Sequence, residues 1–383
     1  MNQIKKKIGF LYFEEIHHIP HFIGIASELA KQYKDYDVSI ITYKEVHAYL
    51  HKLIKLLEAK NLRVVQVNST VTRRIIDFFT GRKKPSAVYL YKKNKKFLLS
   101  YDTLVFTEKN HRYLHSYRKQ AKKPYLISVG HGPGGRGYAF QPSLRLFDFM
   151  LLCGEFYLNR LLSEDLLIPN YAITGYSKFD VVTKENRNLK FFDNDKPIVL
   201  YNPHFNKVNS SWYAFGNEIL EYFYNQEEFN LIFAPHIYLF NRKGFLKPDS
   251  IDKKYFNKKN IHIDLGSIRS SNMTYVLNSD VYLGDVSSQI YEYIIKPRPA
   301  IFIDIENIDW QNNIDYRFWK TGTVVYTIKE LEKTLQDILI STKSKYLDIQ
   351  KLFFKENYYI DSNQNASQKG AQAIHDFLDS KTS

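Results

Sequence analysis

The chain has 383 residues, 44% of them apolar and 25% charged, a balance that excludes long disorder and a length that suits two domains of roughly 150–200 residues. Its net charge of +14 favours anionic partners: nucleic acid, acidic lipid headgroups or a phosphate-rich polymer. No zinc-ligand spacing, aromatic RNA-binding consensus or helix-turn-helix pattern accompanies that charge, which argues against nucleic acid, and no 18 uncharged apolar residues run together, which excludes a spanning helix.

The opening MNQIKKKIGFLYFEEIHH has a basic start, but its apolar run of about seven residues stops at Glu14 and Glu15, so it reads as a strand and not as a signal peptide. From there KIGFLYF (7–13), DVSIITY (37–43), LRVVQVN (62–68), DTLVFT (102–107), PYLISVG (124–130), FDFMLLCG (147–154) and YAITGY (171–176) read as strands. Between them lie stretches such as HFIGIASELAKQY and EVHAYLHKLIKLLEAK, with apolar residues three and four apart, the helical period. The single cysteine, Cys153, sits in one of the apolar runs and can form no internal disulfide. A reducing, cytoplasmic compartment is expected.

A polar stretch at 182–196 interrupts the pattern, which restarts with PIVLYNP (197–203), NLIFAPH (230–236), IHIDLG (261–266), DVYLGD (280–285) and RPAIFID (298–304). Near-continuous apolar strands separated by helices imply parallel sheets covered on both faces. The expected fold class is α/β, with two doubly wound Rossmann-like domains facing across a cleft. The boundaries fall at 1–185, 196–345 and a helical tail, 346–383, expected to pack back on the N-terminal domain.

Ligands of open parallel sheets bind beyond the carboxyl ends of the strands. At those places stand HHIPH (17–21), HGPGGRG (131–137), GYSKFD (175–180), NPHF (202–205), APH (234–236) and GDVSSQIYE (284–292). Gly130, Gly132 and Gly135 spell G-x-G-x-x-G, but only about a dozen residues separate Gly135 from the next strand. That leaves little room for the crossover helix of a dinucleotide site, so the Rossmann fingerprint is rejected. A tight glycine turn that holds His131 at a strand end, with Arg136 placed to meet a phosphate, is the better reading; a histidine merely satisfied within a turn is the alternative.

In the second half a strand ends at Asp285, Ser287 and Ser288 follow, and an amphipathic helix is expected to begin, with Glu292 one turn in. Adjacent serines at a helix start offer hydroxyls and backbone N–H groups to a pyrophosphate, and Glu292 can accept from ribose hydroxyls. Capping alone would explain Ser287. His17, His18 and His21 lack the spacing of a helical zinc site, and Pro20 falls between them; a loop lining the acceptor side is preferred to a metal site or a helix cap. No D-x-D pair ends a strand, so no essential metal is expected.

These residues occur in an order that resembles the CDP-glycerol glycerophosphotransferase family of teichoic-acid and capsule polymerases. The shared features are HG followed by a cation, G-x-x-K-F-D from Gly175 to Asp180, LYNPHF, Pro235–His236, SDVxxxDxSSxxYEY…KPRPAIF, and the tail ENYYIDSNQNASQKGAQAI. The likeness spans roughly residues 100–375; the first hundred are similar to the opening of many sugar-nucleotide glycosyltransferases. Arg136 is the nearest cation where the family carries lysine after H-G, and Ile237 stands where a second proline is common.

The resemblance implies the glycosyltransferase-B fold, with an acceptor-side first domain and a donor-binding second one. It implies transfer of glycerol phosphate, or a related polyol phosphate, from a CDP-linked donor to a hydroxyl acceptor with release of CMP. His131 would be the base, since a neutral imidazole can take the acceptor proton, and His236 would hydrogen-bond or protonate the phosphate. Ser287, Ser288, Asp285, Glu292 and Arg136 would hold the donor, while Gly132, Lys178, His204, His18 and His21 would contact substrate. No cofactor is implied beyond the nucleotide-linked donor. The partners would be a polysaccharide or lipid-linked acceptor and the anionic inner face of the cytoplasmic membrane. Alternatives are a glycosyltransferase using a CMP- or UDP-sugar, a UDP-sugar 2-epimerase, and a nucleic-acid binder.

Overall fold

A computed structural model of the protein describes residues 5–13, 16–43, 48–80, 84–118, 123–130, 132–134, 136–185, 189–241, 246–340 and 345–381. The chain forms two compact units. The first comprises Met1–Pro133, Gly137–Glu185 and Asn357–Ser383; the second comprises Gly134–Arg136 and Asn186–Glu356.

The first unit is built on seven strands: β1 (Lys6–Tyr12), β2 (Tyr36–Tyr43), β3 (Arg63–Val67), β4 (Thr103–Phe106), β5 (Tyr125–Ser128), β6 (Phe149–Leu152) and β7 (Tyr171–Ile173). They pair in parallel in the order β3-β2-β1-β4-β5-β6-β7. β4 and β6 are buried along their whole length, as strands covered on both faces must be. Among the described residues no α-helix lies between β5 and β6, only the 3-10 turns Gly137–Ala139 and Pro142–Leu146. The crossover that a dinucleotide fingerprint requires is missing there.

The second unit carries β8 (Ile198–Asn202), β9 (Asn230–Phe233), β10 (Ile261–Ile263), β11 (Val281–Gly284), β12 (Ala300–Ile303) and β13 (Thr323–Val325). Their parallel order is β10-β9-β8-β11-β12-β13. Tyr201, Phe223, Phe233 and Leu283, all fully buried, centre its core; burying such a side chain gains roughly 1.5–3 kcal/mol. Both sheets reverse winding direction beside their first strand, between β1 and β4 and between β8 and β11, which is where doubly wound sheets open a crevice for ligands.

The tail divides between the units. The Leu347–Asn357 helix lies almost wholly in the second, whereas the Ala366–Asp379 helix lies in the first and packs on the Ile19–Gln32 helix. The two axes approach closely because glycines face the contact: a Cβ on Gly24 would stand 2.2 Å from Ser367 Oγ, and one on Gly370 would stand 2.9 Å from Ile25 Cδ1. Asp180 fixes the start of the tail helix, its Oδ2 accepting from Ser367 N and Oγ at 2.7 Å each. The K-F-D and A-S segments that resemble the family's motifs thus meet as a half-buried joint.

His111 is fully buried, stacked on Phe147 with centroids 3.5 Å apart, and its Nε2 donates to Ser143 O at 2.7 Å. Burial, the largest influence, lowers its pKa to about 4. Below pH 6.5 the unfolded chain takes up a proton here that the folded chain refuses down to about pH 4, so this contribution to stability is lost as pH falls. Linkage gives about 2 kcal/mol between pH 7 and pH 5. Urea denaturation of His111→Gln at both pH values should show that part of the slope gone.

Candidate active site

In the second unit the carboxyl ends of β9, β8 and β11 lie side by side and deliver three loops. β8 leads into Pro203, His204 and Phe205, β9 into Ala234, Pro235 and His236, and β11 into Asp285 to Ser288. His236 N donates to Pro203 O at 3.0 Å, extending the β8–β9 pairing one step and fixing the second histidine beside the first. Their ring centroids are 5.6 Å apart, and Phe205 packs on both at 4.4 and 4.5 Å.

Each imidazole is oriented in the same way. His204 Nδ1 accepts from Asn206 N at 3.1 Å, and His236 Nδ1 accepts from Tyr238 N at 3.2 Å. With Nδ1 an acceptor, the proton of the neutral ring resides on Nε2, so both rings offer an Nε2–H donor. Burial, and secondarily the charge of Arg136, lower the His204 pKa to about 4, which keeps that ring neutral near pH 7. Arg136 belongs to this unit, with its guanidinium over the Tyr316 ring, 5.5 Å from the centroid.

Asp285, expected among the donor-holding residues, has its carboxylate engaged by groups of the protein itself. It is buried, and its carboxylate accepts from Ser211 N at 2.8 Å, Ser211 Oγ at 2.9 Å, Val286 N at 2.6 Å and His204 N at 2.9 Å. Its carbonyl accepts from Trp319 Nε1 at 2.8 Å. Burial raises its pKa to about 6 against these bonds, which pull it down. The side chain ties the β8 and β11 loops to the start of the Ser211–Asn225 helix, which makes it an internal brace.

The helix after Asp285 also differs from expectation. It spans only Gln289–Tyr293, too few peptide units for a strong macrodipole. Ser287 is buried and accepts from Gln289 N at 3.3 Å, a local turn bond, whereas Ser288 is exposed. Glu292 is buried on the same short helix. Asn202, Ser211 and Trp319 were not legible as site residues. Asn202 Nδ2 donates to Ala234 O at 2.6 Å and its Oδ1 accepts from Tyr282 OH at 3.3 Å, clamping the ends of β8 and β9 together. Its position at a strand end, next to Pro203, is the one signal that marked it.

The first unit gathers the other predicted residues. His131 and Gly135 lie outside the described residues. Gly130 and Gly132 adopt φ of +66° and +117°, backbone that favours glycine. A Cβ on Gly132 would stand 3.3 Å from Tyr176 OH, and the same hydroxyl is 3.1 Å from His21 Nδ1. At the β1–β4 reversal His18 is buried, with Nδ1 3.1 Å from Thr107 Oγ1 and Nε2 3.3 Å from Glu108 Oε1. It occupies the N-cap position of the Ile19–Gln32 helix without a side-chain capping bond. His17 packs against it with the rings tilted by 48° and centroids 4.3 Å apart. Lys178 is buried in the first turn of the Ser177–Glu185 helix.

Two doubly wound parallel-sheet domains, one with paired histidines at the carboxyl ends of its strands, are the components of glycosyltransferase-B transferases. The family model for CDP-glycerol:poly(glycerophosphate) glycerophosphotransferase matches residues 168–376, more than half of the chain. The chain belongs to this family and is a CDP-glycerol glycerophosphotransferase-like transferase. No curated protein matches it.

Among solved structures, the wall teichoic acid polymerase TagF in a crystal soaked with CDPG is similar at TM-score 0.64 and 15% identity, covering 99% of this chain and 90% of that one. A UDP-N-acetylglucosamine 2-epimerase from Listeria monocytogenes is similar at 0.63 and 12%, covering 99% and 97%. The S. aureus MnaA–UDP structure is similar at 0.62 and 14%, covering 99% and 98%. At such identities these likenesses establish the fold; the family match is what separates transferase from epimerase.

Proposed function

We propose that the enzyme transfers glycerol phosphate from CDP-glycerol to a hydroxyl of a teichoic-acid-like or capsular polymer at the inner face of the cytoplasmic membrane. The acceptor oxygen attacks the β-phosphorus, a new O–P bond forms, and the bond from that phosphorus to the bridging oxygen breaks. CMP leaves with the bridging oxygen. His131 takes the acceptor proton, in keeping with an imidazole's pKa near neutrality. His236 and His204 donate Nε2–H bonds to the phosphate oxygens, and Arg136 adds positive charge as the phosphoryl group passes its transition state. Ser288 and Glu292 contact the pyrophosphate and the ribose. His18, His21 and Gly132 line the acceptor side.

The observation that carries this reading is the pair of neighbouring rings whose Nδ1 atoms are both engaged by backbone amides. Such rings serve as fixed Nε2–H donors to an anion, whereas a nucleic-acid face would present exposed cations to a backbone. Incubating the purified protein with CDP-glycerol, CDP-ribitol, CMP-sugar and UDP-sugar donors should give CMP release from CDP-glycerol, with phosphorus entering the product. Turnover of a sugar donor alone, yielding a phosphorus-free glycoside, would overturn it.

A further inference from the structure

The Val71–Phe79 helix of the first unit presents its polar edge to the protein and its apolar face to solvent. At 100° per residue Phe78, Val71, Ile75, Phe79 and Ile76 fall within an arc of roughly 160°. Phe78 and Phe79 are 79% and 80% exposed, Val71 63% and Ile75 52%, while Asp77 opposite is 5% exposed. The inner edge is well anchored. Arg73 Nη2 donates to Asp77 Oδ1 at 2.7 Å, the Arg73 guanidinium lies over the Tyr89 ring, and Tyr89 OH is 3.0 Å from the N-capping Thr70 Oγ1. The orientation is therefore fixed by the fold, and the apolar face has no protein covering it among the described residues.

Exposed cations stand on this helix and on the neighbouring helix that Tyr89 ties to its N-cap. Arg74 is exposed on the helix, and the Ala87–Lys93 helix, which carries Tyr89, ends in the exposed Lys92 and Lys93, with exposed Lys96 one turn further on. An outward apolar arc accompanied by exposed cations matches the boundary between acyl chains and anionic headgroups in a bilayer. At nine residues the helix is too short to span a membrane, so it suits an in-plane position.

We propose that the Val71–Phe79 helix is the element that seats the enzyme on an anionic bilayer, with Phe78, Phe79, Ile75 and Val71 among the upper acyl carbons and Arg74, Lys92, Lys93 and Lys96 on the lipid phosphates. This rests on the reading that the enzyme works at a membrane surface, and it names the contact.

The test is co-sedimentation with phosphatidylglycerol/phosphatidylcholine vesicles. The wild type should partition onto them, and Phe78→Ser/Phe79→Ser should lower the partition coefficient roughly tenfold or more, since two exposed aromatic side chains carry most of the arc. Pure phosphatidylcholine should bind the wild type roughly tenfold less. Phe79→Trp should show a blue-shifted emission on vesicle addition, quenched by brominated lipid. Absence of vesicle binding by the wild type, or equal binding by the double variant, overturns the proposal. A wild-type dimer that becomes monomeric in the double variant assigns the face to a second copy and overturns it too. CMP release from CDP-glycerol with a soluble acceptor, measured without vesicles, should be the same in both proteins; its absence in both would refute the proposed reaction and leave the vesicle result standing.

Discussion

Replacing His236 with alanine is expected to lower kcat for CMP release from CDP-glycerol roughly 10²–10³-fold, the usual cost of deleting one fixed donor to developing charge. The backbone of His236 is held to Pro203, which the variant retains, while it loses the Nε2–H donor together with the Nδ1 acceptor of Tyr238 N and the ring packing on Phe205. In the proposed reaction that donor acts on the phosphoryl group more in the transition state than in the ground state, so kcat should fall further than KM rises. His236→Gln, which restores an N–H donor in a less rigid position, should recover part of the loss. Steady-state kinetics with thermal melts as control check this; unchanged kcat in a folded His236→Ala protein removes the residue from the reaction.

Asp285→Ala is expected to be the most damaging single change in the second unit. It strips the acceptor from three backbone N–H groups and the Ser211 hydroxyl, all aimed at one buried carboxylate. Orphaned buried donors cost about 1–3 kcal/mol each before relaxation, so a net loss of about 3 kcal/mol is expected at pH 7. The pH dependence gives a second check. A carboxyl raised to about 6 is protonated in the folded chain between roughly pH 4 and pH 6 while the unfolded chain has released its proton, so its contribution declines as pH rises through that window. Linkage makes the alanine penalty about 1 kcal/mol larger at pH 5 than at pH 7. Urea melts at the two pH values measure it, and a penalty that is the same at pH 5 and pH 7 would mean the carboxylate is ionised throughout. CMP release should fall as well, because His204 N loses its anchor.

The strands of both sheets were legible because buried parallel strands are written as apolar runs. β13, the edge strand Thr323–Val325, was the one not read. Histidines at strand ends could be listed from sequence, since strand direction fixes where a following residue emerges. Pairing was beyond reach. That His204 and His236 are neighbours follows from β8 lying next to β9, and that Asp285 braces His204 follows from β11 lying on the other side. Sheet order is a property of long-range packing, and residues such as Asn202, Ser211 and Trp319 act only through contacts it creates. The helix after Ser288, expected to be amphipathic, is only the five residues Gln289–Tyr293 long, and Glu292 does fall one turn in.

The Ala366–Asp379 helix completes the first unit only after the whole of the second has been threaded between them. During synthesis the Ile19–Gln32 helix must therefore wait for its glycine-matched partner with an apolar side uncovered, while the middle of the chain can already close on itself. Truncation ahead of residue 366 would leave the amino-terminal half permanently unfinished, prone to aggregation before any loss of chemistry could be measured.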